Sequence, residues 1–187
     1  KVVKFYKTVL EAEVFYENSN LTFLTYDDEH HRLAIFRVPG LGRASRGKAG
    51  VDHVAFTYRN LKELVSTYVR LKDAGIEPVW TTHHGGTLSF YYADPDNNLA
   101  ELQVDVHKDV KSLEQYLVSE DFSINPVGVD FDPEEIRARL ERGDKQADIL
   151  ERHADGPRDM TTIPREIVGS FHWMIIRIAA KLGRKLN

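Results

Sequence analysis

The sequence predicts an α+β fold in which two βαβββ modules form one curved cup, followed by a helical C-terminal extension. Two observations predict the modules: the order of helical and strand-like segments repeats along the first half of the chain, and part of the first repeat aligns with the second. A change to helix signals beyond Asp105 predicts the extension. We therefore expect a two-module domain over residues 1–107 and a helical extension over residues 108–187.

The first module lacks the strand that opens the second. It begins with a helix, Lys1 to Leu10, whose apolar residues share one face, and continues with the strand-like runs "AEVFYE", "LTFLTYD" and "HHRLAIFRVP". Because the chain starts inside a helical pattern without Met, we expect further residues before Lys1. A glycine-rich connection, Gly40 to Gly50, leads to the second module.

The second module, residues 51–105, contains all five elements. "VDHVAFTY" is its first strand, and Asn60 caps a helix that Gly75 closes. "EPVWTT", "TLSFYY" and "LAELQVD" supply three more strands. "LTFLTYDDEHHRLAIF" from Leu21 aligns with "LSFYYADPDNNLAELQ" from Leu88, which supports a duplication. In this alignment Ala34 occupies the position of Glu101, so only one module carries the carboxylate.

The extension carries clear helix boundaries. Asp132 is an N-cap, Pro133 stands at the first helical position, Glu135 completes a capping box and Gly143 ends the helix. A short helix is expected over residues 145–153 and a final amphipathic helix over residues 164–186. Its apolar face packs either on the domain or on a second subunit, and we expect a homo-oligomer. The alternative of membrane-surface binding through "KLGRKLN" is less favoured, because cationic helix ends are common.

Composition excludes several classes of function. The net charge of −4 gives no electrostatic reason to expect a nucleic-acid partner. The sequence contains no run of about 18 apolar residues, so it predicts no membrane span. The chain has no cysteine, which excludes disulfides, thiolate metal sites and a cysteine nucleophile. The absence of cysteine suits a reducing compartment, and we expect a cytoplasmic protein.

His53 and Glu101 are candidate metal ligands in the middle of two strands of the second module. Imidazole and carboxylate are two of the three ligands of a 2-His-1-carboxylate iron site. The third, a histidine, would come from the opening strand of the first module, upstream of Lys1. The alternative is structural: a lone histidine in a strand is often a hydrogen-bonded core or edge residue, and a lone glutamate is often solvated.

The paired modules, His53 in "DHVAF" and Glu101 in "NNLAEL" resemble the vicinal-oxygen-chelate superfamily over about Lys1 to Asp105. That superfamily has the glyoxalase fold and includes glyoxalase I, bleomycin-resistance proteins, fosfomycin-resistance enzymes and type I extradiol ring-cleaving dioxygenases. Two local matches favour the dioxygenases: "EHHRLAIF", which contains His31, and "SFY", which ends at Tyr91 and is followed in the next strand by Glu101.

The resemblance implies an enzyme that opens a catechol-type aromatic diol with Fe(II) and dioxygen, with Mn(II) as the alternative metal. It implies that His31 acts as acid and base, that Tyr91 donates a hydrogen bond to a developing oxyanion, and that His83 or His84 binds substrate. An imidazole titrates near neutral pH, which suits the first role, and a phenol suits the second.

Other interpretations of these residues stay open at this point. His30 and His31 follow "DDE" and would also suit a turn, and β-propensity alone favours Tyr91 and Tyr92 in a strand. One rival function is a glyoxalase-like lyase or isomerase using Zn or Ni, but Ala34 stands where its second carboxylate would be needed. The other is a metal-free protein that binds or sequesters a flat hydrophobic ligand in the same cup.

Overall fold

The computed structural model describes residues 1–152 and 156–182. Its residues form two compact units, one of residues 1–45 with 93–98, the other of residues 46–92 with the chain beyond residue 98. The predicted α+β class is confirmed, with helices and antiparallel and mixed sheets. The predicted domain boundary near residue 107 stays a prediction.

The first unit consists of one helix and a three-stranded antiparallel sheet. Its elements are α1 (Val2–Val9), β1 (Glu13–Glu17), β2 (Leu21–Thr25) and β3 (Leu33–Phe36). The sheet order is β1-β2-β3. Helix α1 buries Phe5 and Val9, and the central strand β2 buries Thr22 and Leu24, so the core lies between the helix and this strand. This is the α-β-β-β order predicted for a module without its opening strand.

The second unit is built on a five-stranded sheet in the order β4-β7-β6-β5-β8. Its strands are β4 (His53–Tyr58), β5 (Trp80–His83), β6 (Thr87–Ala93), β7 (Leu99–Asp105) and β8 (Val129–Asp130). Strands β4 and β7 pair in parallel, whereas β5 pairs antiparallel with β6 and with β8. The elements of the second module therefore appear in the predicted order.

Helix α2 (Leu61–Asp73) covers one face of this sheet. The side chain of Asn60 accepts a hydrogen bond from the Glu63 amide at 2.9 Å, which confirms the predicted N-cap. The buried side chains of the helix pack toward the sheet; the ring of Tyr68 lies 5.4 Å from that of Phe90. This contact places Phe90 on the core face. Because side chains alternate along a strand, Tyr92 shares that face, and Ser89 and Tyr91 project from the opposite face.

The C-terminal extension is helical, as predicted. Its helices are α3 (Val110–Leu117), α4 (Glu120–Ile124), α5 (Pro133–Glu141), α6 (Gln146–Ile149), α7 (Arg165–Val168) and α8 (Ser170–Lys181), with a 3-10 turn at Met160–Thr162. The Asp132 side chain accepts from the Glu134 amide at 2.9 Å, so the predicted N-cap of α5 is confirmed. Within the described ranges, no helix has the length and apolar character that a membrane span requires.

Two helix predictions in the extension need correction. The expected helix over residues 145–153 contains only α6, and His153 lies outside the described residues. The expected single helix over residues 164–186 is broken at Gly169, whose φ of 79° leaves the helical region and separates α7 from α8. Residues 183–186 of that prediction lie outside the described residues.

Candidate active site

His53 and Glu101 meet on one face of the parallel strand pair. Ala55 lies opposite Glu101 in the β4–β7 register, and His53 is two residues from Ala55, so the two side chains share a face. The His53 Nε2 atom lies 3.0 Å from the Glu101 Oε2 atom. The sequence prediction that these two residues lie close enough to share one cation is consistent with this distance.

The surroundings of Glu101 favour its charged form. The residue is only 4 % exposed, and burial alone would raise the pKa of its carboxyl group. Hydrogen bonds from His53, Ser89 and Tyr91 outweigh burial, so the pKa lies below its ordinary value. The hydrogen bond to Glu101 in turn raises the pKa of His53 to about 9, against the opposing effect of burial. In the metal-free protein the two groups therefore form an ion pair at neutral pH.

Asp52 orients the imidazole of His53. The His53 Nδ1 atom donates to the Asp52 Oδ2 atom at 2.8 Å, which leaves Nε2 to face Glu101. The Arg46 guanidinium donates to the Asp52 carboxylate at 2.6 Å and to the Asp52 backbone carbonyl at 2.8 Å. Metal-binding histidines commonly donate their other ring N–H to a carboxylate in this way. Asp52 is not among the site residues predicted from the sequence, although a carboxylate next to a candidate ligand is a visible signal.

The chemistry of this pair fits a divalent metal. Two ligand atoms about 2.1 Å from one ion and at right angles to each other lie about 3 Å apart, as these nitrogen and oxygen atoms do. Within residues 1–152 and 156–182, no three histidine, aspartate or glutamate side chains are grouped closely enough to hold a metal ion. Among the described residues His53 and Glu101 are therefore the candidate ligands, and both their metal role and the upstream histidine stay predictions.

Tyr91, and not Tyr92, faces this pair. The Tyr91 ring lies perpendicular to the His53 ring, with 5.4 Å between centroids, and stacks on Trp80 at 5.2 Å. Trp80 lies opposite Tyr91 in the β5–β6 register, which puts both rings on the Glu101 face. Burial, followed by the charge of Glu101, raises the pKa of Tyr91 above its ordinary value, so its hydroxyl keeps its proton. Trp80 is a part of the site that sequence reasoning missed.

His84 lies beside the same residues. Its Nε2 atom is 2.9 Å from the Tyr91 hydroxyl and 4.0 Å from the Glu101 Oε1 atom. The Nδ1 atom of His84 donates to the Val127 carbonyl, so Nε2 of the neutral ring carries no proton. Nε2 and the Glu101 carboxylate therefore share the single proton of the Tyr91 hydroxyl as acceptors. Burial lowers the pKa of His84, which favours this neutral form.

His83 makes internal contacts with both ring nitrogens. Its Nδ1 atom accepts from the Gly85 amide at 3.0 Å, and its Nε2 atom donates to the Leu150 carbonyl at 2.9 Å. The prediction that one of the two histidines binds substrate stays a prediction. Of the two, His84 is the one next to Tyr91 and Glu101.

His31 belongs to the first unit, in the connection between β2 and β3. Its ring stacks on Phe23 with centroids 4.4 Å apart, and its Nδ1 atom contacts that of His30. Both histidines reach solvent, as an acid and base would require, and as a turn would also allow. The acid and base role of His31 stays a prediction.

Comparison with known proteins identifies the family. Residues 1–102 match the Glyoxalase/Bleomycin resistance protein/Dioxygenase superfamily. The chain belongs to this superfamily. It is 39 % identical over 164 residues to biphenyl-2,3-diol 1,2-dioxygenase 2 of Rhodococcus globerulus, covering 87 % of this chain and 86 % of that protein. It is 38 % identical over 153 residues to biphenyl-2,3-diol 1,2-dioxygenase 3 of the same organism, covering 81 % of this chain and 80 % of that protein.

These matches confirm the predicted superfamily and the prediction of an enzyme of the dioxygenase class. Among solved structures, the fosfomycin resistance protein FosX of Listeria monocytogenes is similar at 23 % identity, with a TM-score of 0.48. The match covers 62 % of this chain and 87 % of that protein.

Proposed function

We propose that the protein catalyses extradiol ring cleavage of a catechol-type aromatic diol, using non-haem Fe(II) and dioxygen. The observation that carries the proposal is the shared face on which His53, Glu101 and Tyr91 meet. Its ligand set is one imidazole and one buried carboxylate, which suits a 2-His-1-carboxylate iron site that keeps positions open for substrate. The third ligand would be a histidine that precedes Lys1.

His53 and Glu101 would hold the metal, with Asp52 fixing the orientation of the imidazole. When bound, iron would orient the diol and dioxygen and allow charge to pass between them. Tyr91 keeps its proton at neutral pH, and its hydroxyl would turn that proton from Glu101 and His84 toward a substrate oxygen that becomes negative. His31 would take up and return the substrate proton, a role that rests on its sequence match.

The substrate class follows from the relatives and the local surface. Both Rhodococcus relatives are named for biphenyl-2,3-diol, a catechol with an aromatic substituent. The candidate ligands lie beside two aromatic rings, Tyr91 and Trp80, which stack on each other and are 5 % and 8 % exposed. We therefore propose substituted catechols of this type as substrates. The absence of a carboxylate at Ala34 disfavours the glyoxalase-like alternative.

The direct test is to load the protein with Fe(II) under argon, add the diol and then oxygen, and follow the yellow ring-opened product. We expect product at about one iron per chain, and its loss in Glu101→Gln and His53→Gln. Gln103→Ala is the matched control, because Gln103 lies on the same strand and bonds to Thr57 at 3.0 Å. An active Glu101→Gln protein, or a protein that binds the diol without metal and never consumes oxygen, would refute the proposal.

The role of His31 needs a separate test. Removing a general acid and base typically lowers kcat by about 10²- to 10⁴-fold, and we expect such a loss in His31→Gln. The neighbouring His30 gives the matched control, and we expect His30→Gln to keep most of the activity. Equal activity in the two variants would remove His31 from the mechanism and leave the metal proposal intact.

A further inference from the structure

The C-terminal extension contacts His84 from the side opposite Tyr91. The Val127 carbonyl, just before strand β8, accepts a hydrogen bond from the His84 Nδ1 atom. This bond fixes the proton on Nδ1 and leaves Nε2 unprotonated, 2.9 Å from the Tyr91 hydroxyl. A backbone group of the extension thus determines which ring nitrogen of His84 faces the site.

Two side chains of the extension hold the backbone of the same residue. The Tyr116 hydroxyl donates to the His84 carbonyl at 3.1 Å, and the Arg152 Nη1 atom donates to it at 3.2 Å. Arg152 also donates to the Tyr116 hydroxyl and, through Nη2, to the Asn125 carbonyl at 3.0 Å. One guanidinium therefore connects the His84 backbone, α3 and the segment that leads into β8.

Gly85, the residue after His84, leaves room for the Tyr116 side chain. Gly85 has a φ of +89°, a conformation that side chains disfavour. A Cβ atom at this position would lie 1.9 Å from the Tyr116 hydroxyl oxygen. Gly85 thus allows Tyr116 to approach the chain, and the loop between β5 and β6 is closed by the His84 amide, which donates to the Thr87 carbonyl at 2.9 Å.

We propose that Tyr116 and Arg152 are positioning residues that hold His84 with its Nε2 atom toward Tyr91 and Glu101. Both residues act through the His84 backbone, whose carbonyl accepts their hydrogen bonds. The inference rests on the proposed function for its effect on substrate, but the arrangement of His84 itself can be measured without metal or substrate. The extension is therefore a part of the site and not only a cover for the sheet.

The test uses Tyr116→Phe and Arg152→Met in the full chain. Tyr116→Phe keeps the ring against Gly85 and removes only the hydroxyl. Tyr68→Phe and Arg137→Met are the matched controls: Tyr68 donates to Glu134 at 2.6 Å behind the sheet, and Arg137 pairs with Glu141 at 2.8 Å on α5.

The first readout is the imidazole ¹⁵N spectrum of the metal-free protein, in which the His84 signals are identified because they disappear in His84→Gln. The second is amide exchange over residues 84–87.

In the parent protein we expect His84 as the Nδ1–H tautomer with slow exchange in the loop. In Tyr116→Phe and Arg152→Met we expect a mixture of tautomers and exchange at least 10-fold faster, with both controls unchanged. In the iron-loaded enzyme, KM for the diol should rise about 5-fold or more while kcat changes less, and Arg152→Lys should restore part of the loss. An unchanged tautomer and exchange rate in both variants would overturn the proposal.

If the parent protein does not cleave the diol, the proposed function fails, but the spectra and exchange rates still decide whether Tyr116 and Arg152 position His84. If it cleaves the diol and the variants match the parent in both metal-free measurements, only the positioning proposal fails. The two failures are thereby distinguished.

Discussion

Removing the Asp52 carboxylate should weaken metal binding without unfolding the site. The carboxylate accepts from His53 Nδ1 at 2.8 Å, and without it the imidazole loses its fixed orientation and its preferred tautomer. Loss of such a partner typically weakens metal affinity by about 10- to 100-fold. The Asp52 side chain is 66 % exposed, so solvent screens the interaction, and we expect the lower end of this range.

For Asp52→Ala we therefore expect a loss of about 10-fold in Fe(II) affinity, equivalent to about 1.4 kcal/mol. Asp52→Asn keeps an oxygen that can accept from Nδ1, so its loss should be about 3-fold. The local backbone should survive both changes, because Arg46 also donates to the Asp52 backbone carbonyl at 2.8 Å and to the Ile167 carbonyl.

The assay is competition with a chromophoric chelator under argon, with Co(II) as a stable substitute for Fe(II). Asp105→Asn is the control, since it removes the same charge from the far end of β7, where the residue is exposed. Equal affinities in the parent protein and both Asp52 variants would contradict the reasoning. A loss of the same size in Asp105→Asn would attribute the effect to net charge alone.

Three predictions concern stability. Leu64→Ala, at a core position only 1 % exposed, should lower the free energy of unfolding by about 2–5 kcal/mol in urea titration, and a smaller loss would mean that the core collapses around the cavity. Asn60→Ala should cost about 1 kcal/mol by loss of the α2 N-cap, and an unchanged Tm would contradict this. Hydrogen bonds from Lys72 and Tyr68 hold the pKa of Glu134 below 4.5, so their stabilisation is present above about pH 4.5 and lost as pH falls through the folded-state pKa. Glu134→Gln should therefore flatten the stability curve in that acid range, and parallel curves for the two proteins would refute the assignment.

Local patterns in the sequence predicted most of the second module. The bounds of β7 agree with the run "LAELQVD", and Asn60 and Asp132 both act as side-chain N-caps, although Asp132 accepts from the Glu134 amide and not from that of Glu135, the capping-box partner. These features depend on residues close together in the chain, where alternation and capping chemistry leave a direct signal. The pairing of β4 with β7 places His53 next to Glu101, which the sequence could predict only by assuming the module.

Features that depend on distant segments were not predicted. Strand β8 has two residues, Val129–Asp130, too few to show any alternation, yet it completes the edge of the sheet beside β5. The choice between His83 and His84 depends on the carbonyls of Leu150 and Val127, which lie in the extension. No pattern within "THHGG" could show which imidazole would be bonded away and which would face Tyr91.

Glu101 buries a carboxylate at a position where the first module has Ala34, and this burial costs folding free energy. Both residues occupy the last strand of a module, but Ala34 buries no charge, whereas Glu101 is a carboxylate at 4 % exposure. Burying a charge is unfavourable unless a partner compensates, and here His53, with Ser89 and Tyr91, supplies the compensation. Ala34 is exposed and uncharged, so the corresponding strand of the first module carries no such cost. The cost of burying this carboxylate supports the proposal that Glu101 serves as a metal ligand.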